Sequence, residues 1–427
     1  MSAKPRLLLC LVIVAVIAVG ASLLPSSAET DRKLSELRSR GIPTTAAELN
    51  EFYIIPEGET DATELWLAAM VALKELKADP AREALPLVGT GAEAIPAPGQ
   101  SWAQLGEAEN FVKSHQSVIA LIHAAAATKG IARYPVDFIG RDPSALSYAS
   151  DVTLAVQLLE LDAWVSVHRR NSSAGFTNVS SMFAVSKSLM AEPSLPAQLI
   201  RQSTFTSACR CMIDLAPSGQ WTEEQIGQLQ QFVAAVNVLK EIQKALIGDR
   251  ANFLSTVSDP RLTAMNSTTV AAAIDLYERF IVSMDSGWPK AWEETDKVTK
   301  AMKEWTPEER SSRVNAAVAI VFPAVRLLMA NSAETATRQR AAHLTLASLR
   351  YERTHGTRPT NSDQLMPFVE ESFGDTWTDP VTQKPIRFQN QGQQIVIYGA
   401  GRDRNDDNGQ VTTDKATSQP LDVGYRF

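Results

Sequence analysis

The sequence predicts a mainly α protein: an N-terminal membrane or export helix, a multi-helix bundle or irregular α-solenoid, and a small C-terminal α+β domain with a three-stranded antiparallel sheet. Three observations carry this expectation. An uncharged apolar run fills residues 7–24, apolar residues recur at helical spacing from about 100 to 355, and beyond Gly356 the spacing changes to two. Composition shifts divide the chain into a signal peptide or anchor (1–28), a stalk, entry module and linker (29–100), a helical body (101–331) and a head (332–427).

Lys4 and Arg6 precede the apolar run, and PSSAE follows it, with Ser26 and Ala28 as small residues ahead of a cleavage point. That order is an export signal. Its 18 residues exceed a usual signal core and just reach transmembrane length, so an anchor is the first reading and a cleaved signal the second. The body is therefore expected outside the cytoplasmic membrane. Residues 29–40 are charged and helix-prone, and the Pro-, Gly- and Ala-rich stretch PAREALPLVGTGAEAIPAPG at 80–99 reads as a linker or long surface loop.

Each helix of the body has its own signal. Val152, Val156, Leu159 and Ala163 share one face. Pro193 and Pro196 divide the next apolar stretch into two helices, because each proline removes an amide and fixes φ. TEEQ at 222 is a capping box, Thr222 with Gln225, and TPEE at 306 places Thr306 at N-cap, Pro307 at N1 and Glu309 at N3. Pro323 should kink the helix that follows, and Asn331 with Ser332 should end it. Ala342, Leu346 and Leu349 line the face of the last helix. About eight to ten helices are expected between 100 and 355, with no fixed repeat period.

After Gly356, Ile386 and Phe388, then Ile395 to Tyr398, then Leu421, Val423, Tyr425 and Phe427 alternate as strands, with QNQGQQ as the first turn. A sheet this small needs a helix over its apolar face.

The second connection, GRDRNDDNGQ followed by Asp414, concentrates carboxylates where like charges repel. Either it is a solvated bend or a cation sits among its oxygens. Calcium takes six to eight oxygen ligands in irregular geometry. With Asp403 as position 1, Asn405 falls at 3, Asp407 at 5 and Asp414 at 12, near the spacing of an EF-hand loop. Gly409 at position 7, Asp at 12 and the lack of helix signals after TTDKATSQP depart from that pattern.

The succession RYERTHGTRPTNSDQL, TDPVTQKPIRF, IVIYGAGRDRNDDNG and LDVGYRF resembles the globular head of the major pseudopilin of type II secretion over about 90 residues. The resemblance implies that His355, Gly356 and Pro359 end the helix, that Asp379 and Pro380 open the sheet, and that Asp403 heads a calcium loop. Asn405, Asp407, Asp414 and Asp422 are then the remaining candidate ligands. The N-terminus departs from that family: no Gly precedes Leu7 and no Glu lies within the apolar run. GIPTTAAELNEFYIIPEGETDATELWLAAM and LMAEPSLPAQLIRQ, in turn, resemble uncharacterised exported proteins of planctomycete-type bacteria.

Other residues read as structural. His115 and His123 have no carboxylate or Cys partner at zinc spacing. Cys209 and Cys211, two apart on a helix, point to different faces and read as small core or boundary residues. No GxSxG, HExxH, Walker loop or GxGxxG occurs. A net charge of −7 gives no electrostatic reason to expect nucleic acid. The sequence therefore points to a noncatalytic, exported, membrane-tethered structural or interaction protein, held to the membrane by its N-terminal helix, with an envelope protein as partner and a calcium-ordered head. An envelope hydrolase with catalytic groups dispersed over the helical body is the alternative.

Overall fold

The computed structural model describes residues 27–91, 94–139, 147–258, 267–310, 312–369, 377–392, 394–411 and 421–427. The apolar run at 7–24 and Asp414 lie outside the described residues.

Among the described residues, helices α1 (Ser27–Ser39), α2 (Ala46–Phe52), α3 (Thr63–Ala78), α4 (Leu105–Ser114) and α5 (Gln116–Ala127) precede the long pair α6 (Ser147–His168) and α7 (Ser172–Ser188). Then come α8 (Leu195–Leu215), α9 (Glu223–Ala234), α10 (Val238–Val257), α11 (Ser267–Asp285), α12 (Trp288–Glu304), the single turn α13 (Pro307–Arg310) and α14 (Arg313–His355). The predicted caps hold. Thr222 Oγ1 accepts from the Gln225 amide at 3.2 Å, and the Gln225 side chain accepts from the Thr222 amide at 2.8 Å. Thr306 and Glu309 make the same reciprocal pair. Between α7 and α8 the chain breaks at Pro193, as expected, and Ser194 caps α8 with Pro196 in its first turn.

One expectation is corrected. α14 runs on through Pro323, and Asn331 and Ser332 do not end it. Val321, Phe322, Val325 and Leu328 are buried around the proline, and Phe322 stacks on Phe280 of α11 at 5.9 Å. Burial on that scale outweighs the roughly 3 kcal/mol penalty of an interior proline. Ser332 is enclosed, its hydroxyl donating to Gln202 Oε1 of α8 at 3.0 Å, so it packs an interface instead of starting a turn.

α14 is the spine that joins two apolar clusters. Its N-terminal half packs with α10, α11 and α12 around Ile242, Phe280, Val298 and Met329. Its C-terminal half joins a larger core with α3 to α9, including Trp66, Leu158, Cys209 and Leu346. By length and composition α14 contains the one described stretch able to cross a bilayer, and here it is packed among helices and sheet. α1 lies on α11, with Thr30 Oγ1 donating to the Ser267 carbonyl at 2.9 Å, Lys33 paired with Asp275 and Arg40 with Glu278.

Gly356 caps α14 in the left-handed conformation, φ 69°, and its amide donates to the Glu352 carbonyl. The chain then forms the sheet: β1 (Arg387–Asn390), β2 (Ile395–Ala400) and β3 (Asp422–Arg426), antiparallel in the order β1-β2-β3, with Phe388, Ile397 and Tyr425 in register. β2 is buried at every position. Ile395 and Ile397 enter the larger core. On the other face Val396 and Tyr398 are covered by the acidic bend, where a side-chain carbon on Gly409 would stand 3.2 Å from each.

Candidate functional site

The bend begins where β2 ends. Ala400 is fixed by Asp379, a fully buried carboxylate that accepts from the amides of Ala400 and Val381 and from the hydroxyl of Thr382. Gly409 anchors the far side at φ 78°, a left-handed conformation that favours glycine, and a side-chain carbon there would stand 3.2–3.3 Å from Val396, Tyr398 and Gln389.

Within this frame the five sequence-predicted ligands part company. Asp403 and Asn405 are exposed and bond to each other: Asp403 accepts from the Asn405 amide at 3.1 Å and from its side-chain nitrogen at 3.0 Å. Asp407 and Asp422 are brought together. Asp422 Oδ2 accepts from the amides of Asp407 at 3.1 Å and Gly409 at 2.8 Å, which seats its carboxylate inside the turn. Asp422 is 0% exposed. Its second oxygen, Oδ1, and Asp407 Oδ2 are both enclosed and accept no hydrogen bond from the described residues. Burial pushes the Asp422 carboxyl up, the two amide bonds hold it down, and the neighbouring Asp407 and Asp406 push it up further.

Asp406 is directed elsewhere. Its carboxylate pairs with Arg387 Nε at 2.7 Å and accepts from the Tyr398 hydroxyl at 3.1 Å. Two arginines of the bend reach the helices: Arg402 pairs with Glu334 and bonds Asn331 on α14, and Arg404 makes two bonds, 2.8 and 2.9 Å, to Asp296 on α12. Sequence spacing gave no sign of these arginine contacts.

No three His, Cys, Asp or Glu side chains among the described residues gather closely enough to form a metal cluster. Asp407 and Asp422 nevertheless fit a hard cation: two enclosed, unsatisfied carboxylate oxygens are costly unless a positive charge meets them, and calcium completes its shell with carbonyl oxygens and water. They would hold such an ion.

His115 and His123 do not converge. His115 sits between α4 and α5, bonded to the Phe111 carbonyl, while His123 bonds Asn178 at 2.9 Å. Cys209 and Cys211 are buried free thiols, both pushed up by burial.

The helical body also holds a buried polar cluster around Glu192 that sequence reasoning missed. At the turn between α7 and α8, Glu192 is fully enclosed; it accepts from Ser194 Oγ at 2.6 Å and from the Tyr148 hydroxyl. Tyr148 stacks on Tyr134 at 4.7 Å, and Tyr134 bonds Ser188. Burial raises the Glu192 carboxyl to about 7, against the lowering by its two hydroxyl donors. A carboxyl raised in the folded state stabilises fully below its unfolded pKa, near 4.5, and that stability is lost as pH rises through about 7. Glu192→Gln is expected to remove about 3 kcal/mol of this pH-dependent loss between pH 5 and 8. Urea unfolding across that range checks it; an unchanged slope with pH contradicts it.

No protein-family model matches this chain, no curated protein matches it, and no solved structure does.

Proposed function

We propose that this chain is an exported, membrane-tethered, noncatalytic structural or interaction protein whose C-terminal head is ordered by calcium. The observation that carries the reading is the pair of enclosed carboxylate oxygens, Asp407 Oδ2 and Asp422 Oδ1, with no hydrogen-bond partner among the described residues. An ionised carboxylate left so is costly, and a divalent ion between the bend and the start of β3 relieves it. The N-terminal apolar run supports the tether: it ends only a few residues before α1, which is fastened to α11, so a run held in a bilayer would keep the body close to the membrane. An envelope protein is the partner class this placement suits.

Affinity in the range of extracellular calcium modules, about 10⁻⁴ to 10⁻³ M, is expected. Calcium at ten times its dissociation constant then stabilises the full chain by about 1.4 kcal/mol. Urea unfolding with and without calcium chloride tests this. A higher midpoint with calcium supports the reading; coincident curves overturn it.

A further inference from the structure

The same bend carries a second device. Arg404 lies three residues before Asp407 and holds a left-handed backbone, φ 65°, unfavourable for a residue with a side chain. In that conformation its guanidinium lies 4.8 Å from the Trp292 ring centre and forms a two-bond ion pair with Asp296, both on α12. These contacts compensate the unfavourable backbone. α12 otherwise rests on α11 and α14 through one face, with Trp288, Ala291, Thr295 and Val298 buried, while Lys290, Glu293 and Lys297 stay at the surface.

We propose that Arg404 makes the bend a calcium-governed latch: an ion at Asp407 and Asp422 sets the conformation that places Arg404 on Trp292 and Asp296, fastening the head to α12. The inference rests on the calcium reading above. Without the ion, the like charges of Asp407 and Asp422 repel each other and seek water, which pulls against the amide bonds from residues 407 and 409 to Asp422, and the bend no longer presents Arg404 to α12. Arg402 remains on Glu334 and Asn331, so the head stays on α14 while α12 is released. Occupancy of a surface bend thereby sets the order of a helix whose contacts lie more than a hundred residues away in sequence.

Hydrogen–deuterium exchange on the full chain, with and without calcium chloride, reads the latch, and calorimetry on the same samples reads binding. Calcium is expected to slow amide exchange across residues 292–300 at least threefold. In Arg404→Ala the binding heat should persist and the slowing should vanish; Asp296→Asn, which removes the partner from the other side, should do the same and decides the matter if Arg404→Ala fails to fold. Binding heat with no slowing in the unaltered chain overturns the latch and leaves the calcium reading standing. Slowing retained in Asp296→Asn overturns the latch as well. No binding heat in the unaltered chain overturns both.

Discussion

Gly248→Ala is expected to destabilise the protein by about 3 kcal/mol or more, the reverse of what the same change does in an open helix. Gly248 is buried in the middle of α10, where the helix crosses the turn between α7 and α8. A methyl carbon there would stand 1.6 Å from the Pro193 carbonyl oxygen and 2.7 Å from its carbonyl carbon. Both are backbone atoms, so no side-chain rotation relieves the clash, and α10 must move away from the turn. That turn also holds Glu192 and Ser194, so the displacement would open the buried polar cluster around Glu192. Gly227 on α9 supplies the internal comparison. Nothing lies within 4 Å of its missing side chain, and Gly227→Ala should stabilise by about 0.5 to 1 kcal/mol through helix propensity alone. Urea unfolding of both variants reads the opposite signs; a gain in both would mean that α10 does not meet the turn this closely.

Glu241→Ala should cost about 3–5 kcal/mol. Glu241 of α10 and Arg201 of α8 form an ion pair in which both side chains are enclosed, at 8% and 3% exposure. The Arg201 Nε finds no acceptor among the described residues, and burial pushes the guanidinium down to about 9 from its usual value, against the pull of Glu59. Removing the carboxylate leaves that charge buried and unmatched. Replacing both partners, Arg201→Met with Glu241→Leu, removes the desolvation cost together with the attraction and should return most of the lost stability. If the double variant is as unstable as Glu241→Ala, the pair stabilises the α8–α10 contact by more than charge balance. Chemical denaturation of the three proteins separates the outcomes.

Much of the architecture was legible in local chemistry. Caps such as Thr222 with Gln225, the prolines at 193 and 196, and the change from helical to alternating spacing after Gly356 each act over a few residues, and the cap, the α7–α8 break and the sheet stand where they placed them, whereas the helix that starts at Thr222 stops at Ala234 and a new one, capped by Asn237, carries residues 238–257. The continuity of α14 was not legible. Asn331 and Ser332 are local breaking signals, and the contact of Ser332 with α8, contributed from a distant part of the chain, overrides them. The acidic bend was readable as a cluster of oxygens but not as a geometry. Spacing treats Asp403, Asn405, Asp407 and Asp414 as equivalent positions of one loop, whereas the fold turns Asp403 onto Asn405, sends Asp406 to Arg387 and seats Asp422 beneath the amides of residues 407 and 409. Glu192 gave no signal at all, since a glutamate in a proline-containing turn ordinarily faces water and nothing nearby in sequence shows the aromatic residues that enclose it.

Calorimetric titration of calcium into the unaltered chain, Asp422→Asn and Asp403→Ala tests the inner carboxylate pair most directly. Binding heat from the unaltered chain and from Asp403→Ala, with none from Asp422→Asn, is the predicted result. Heat that survives in Asp422→Asn and disappears in Asp403→Ala, or no heat from any of the three, would contradict a cation held by Asp407 and Asp422.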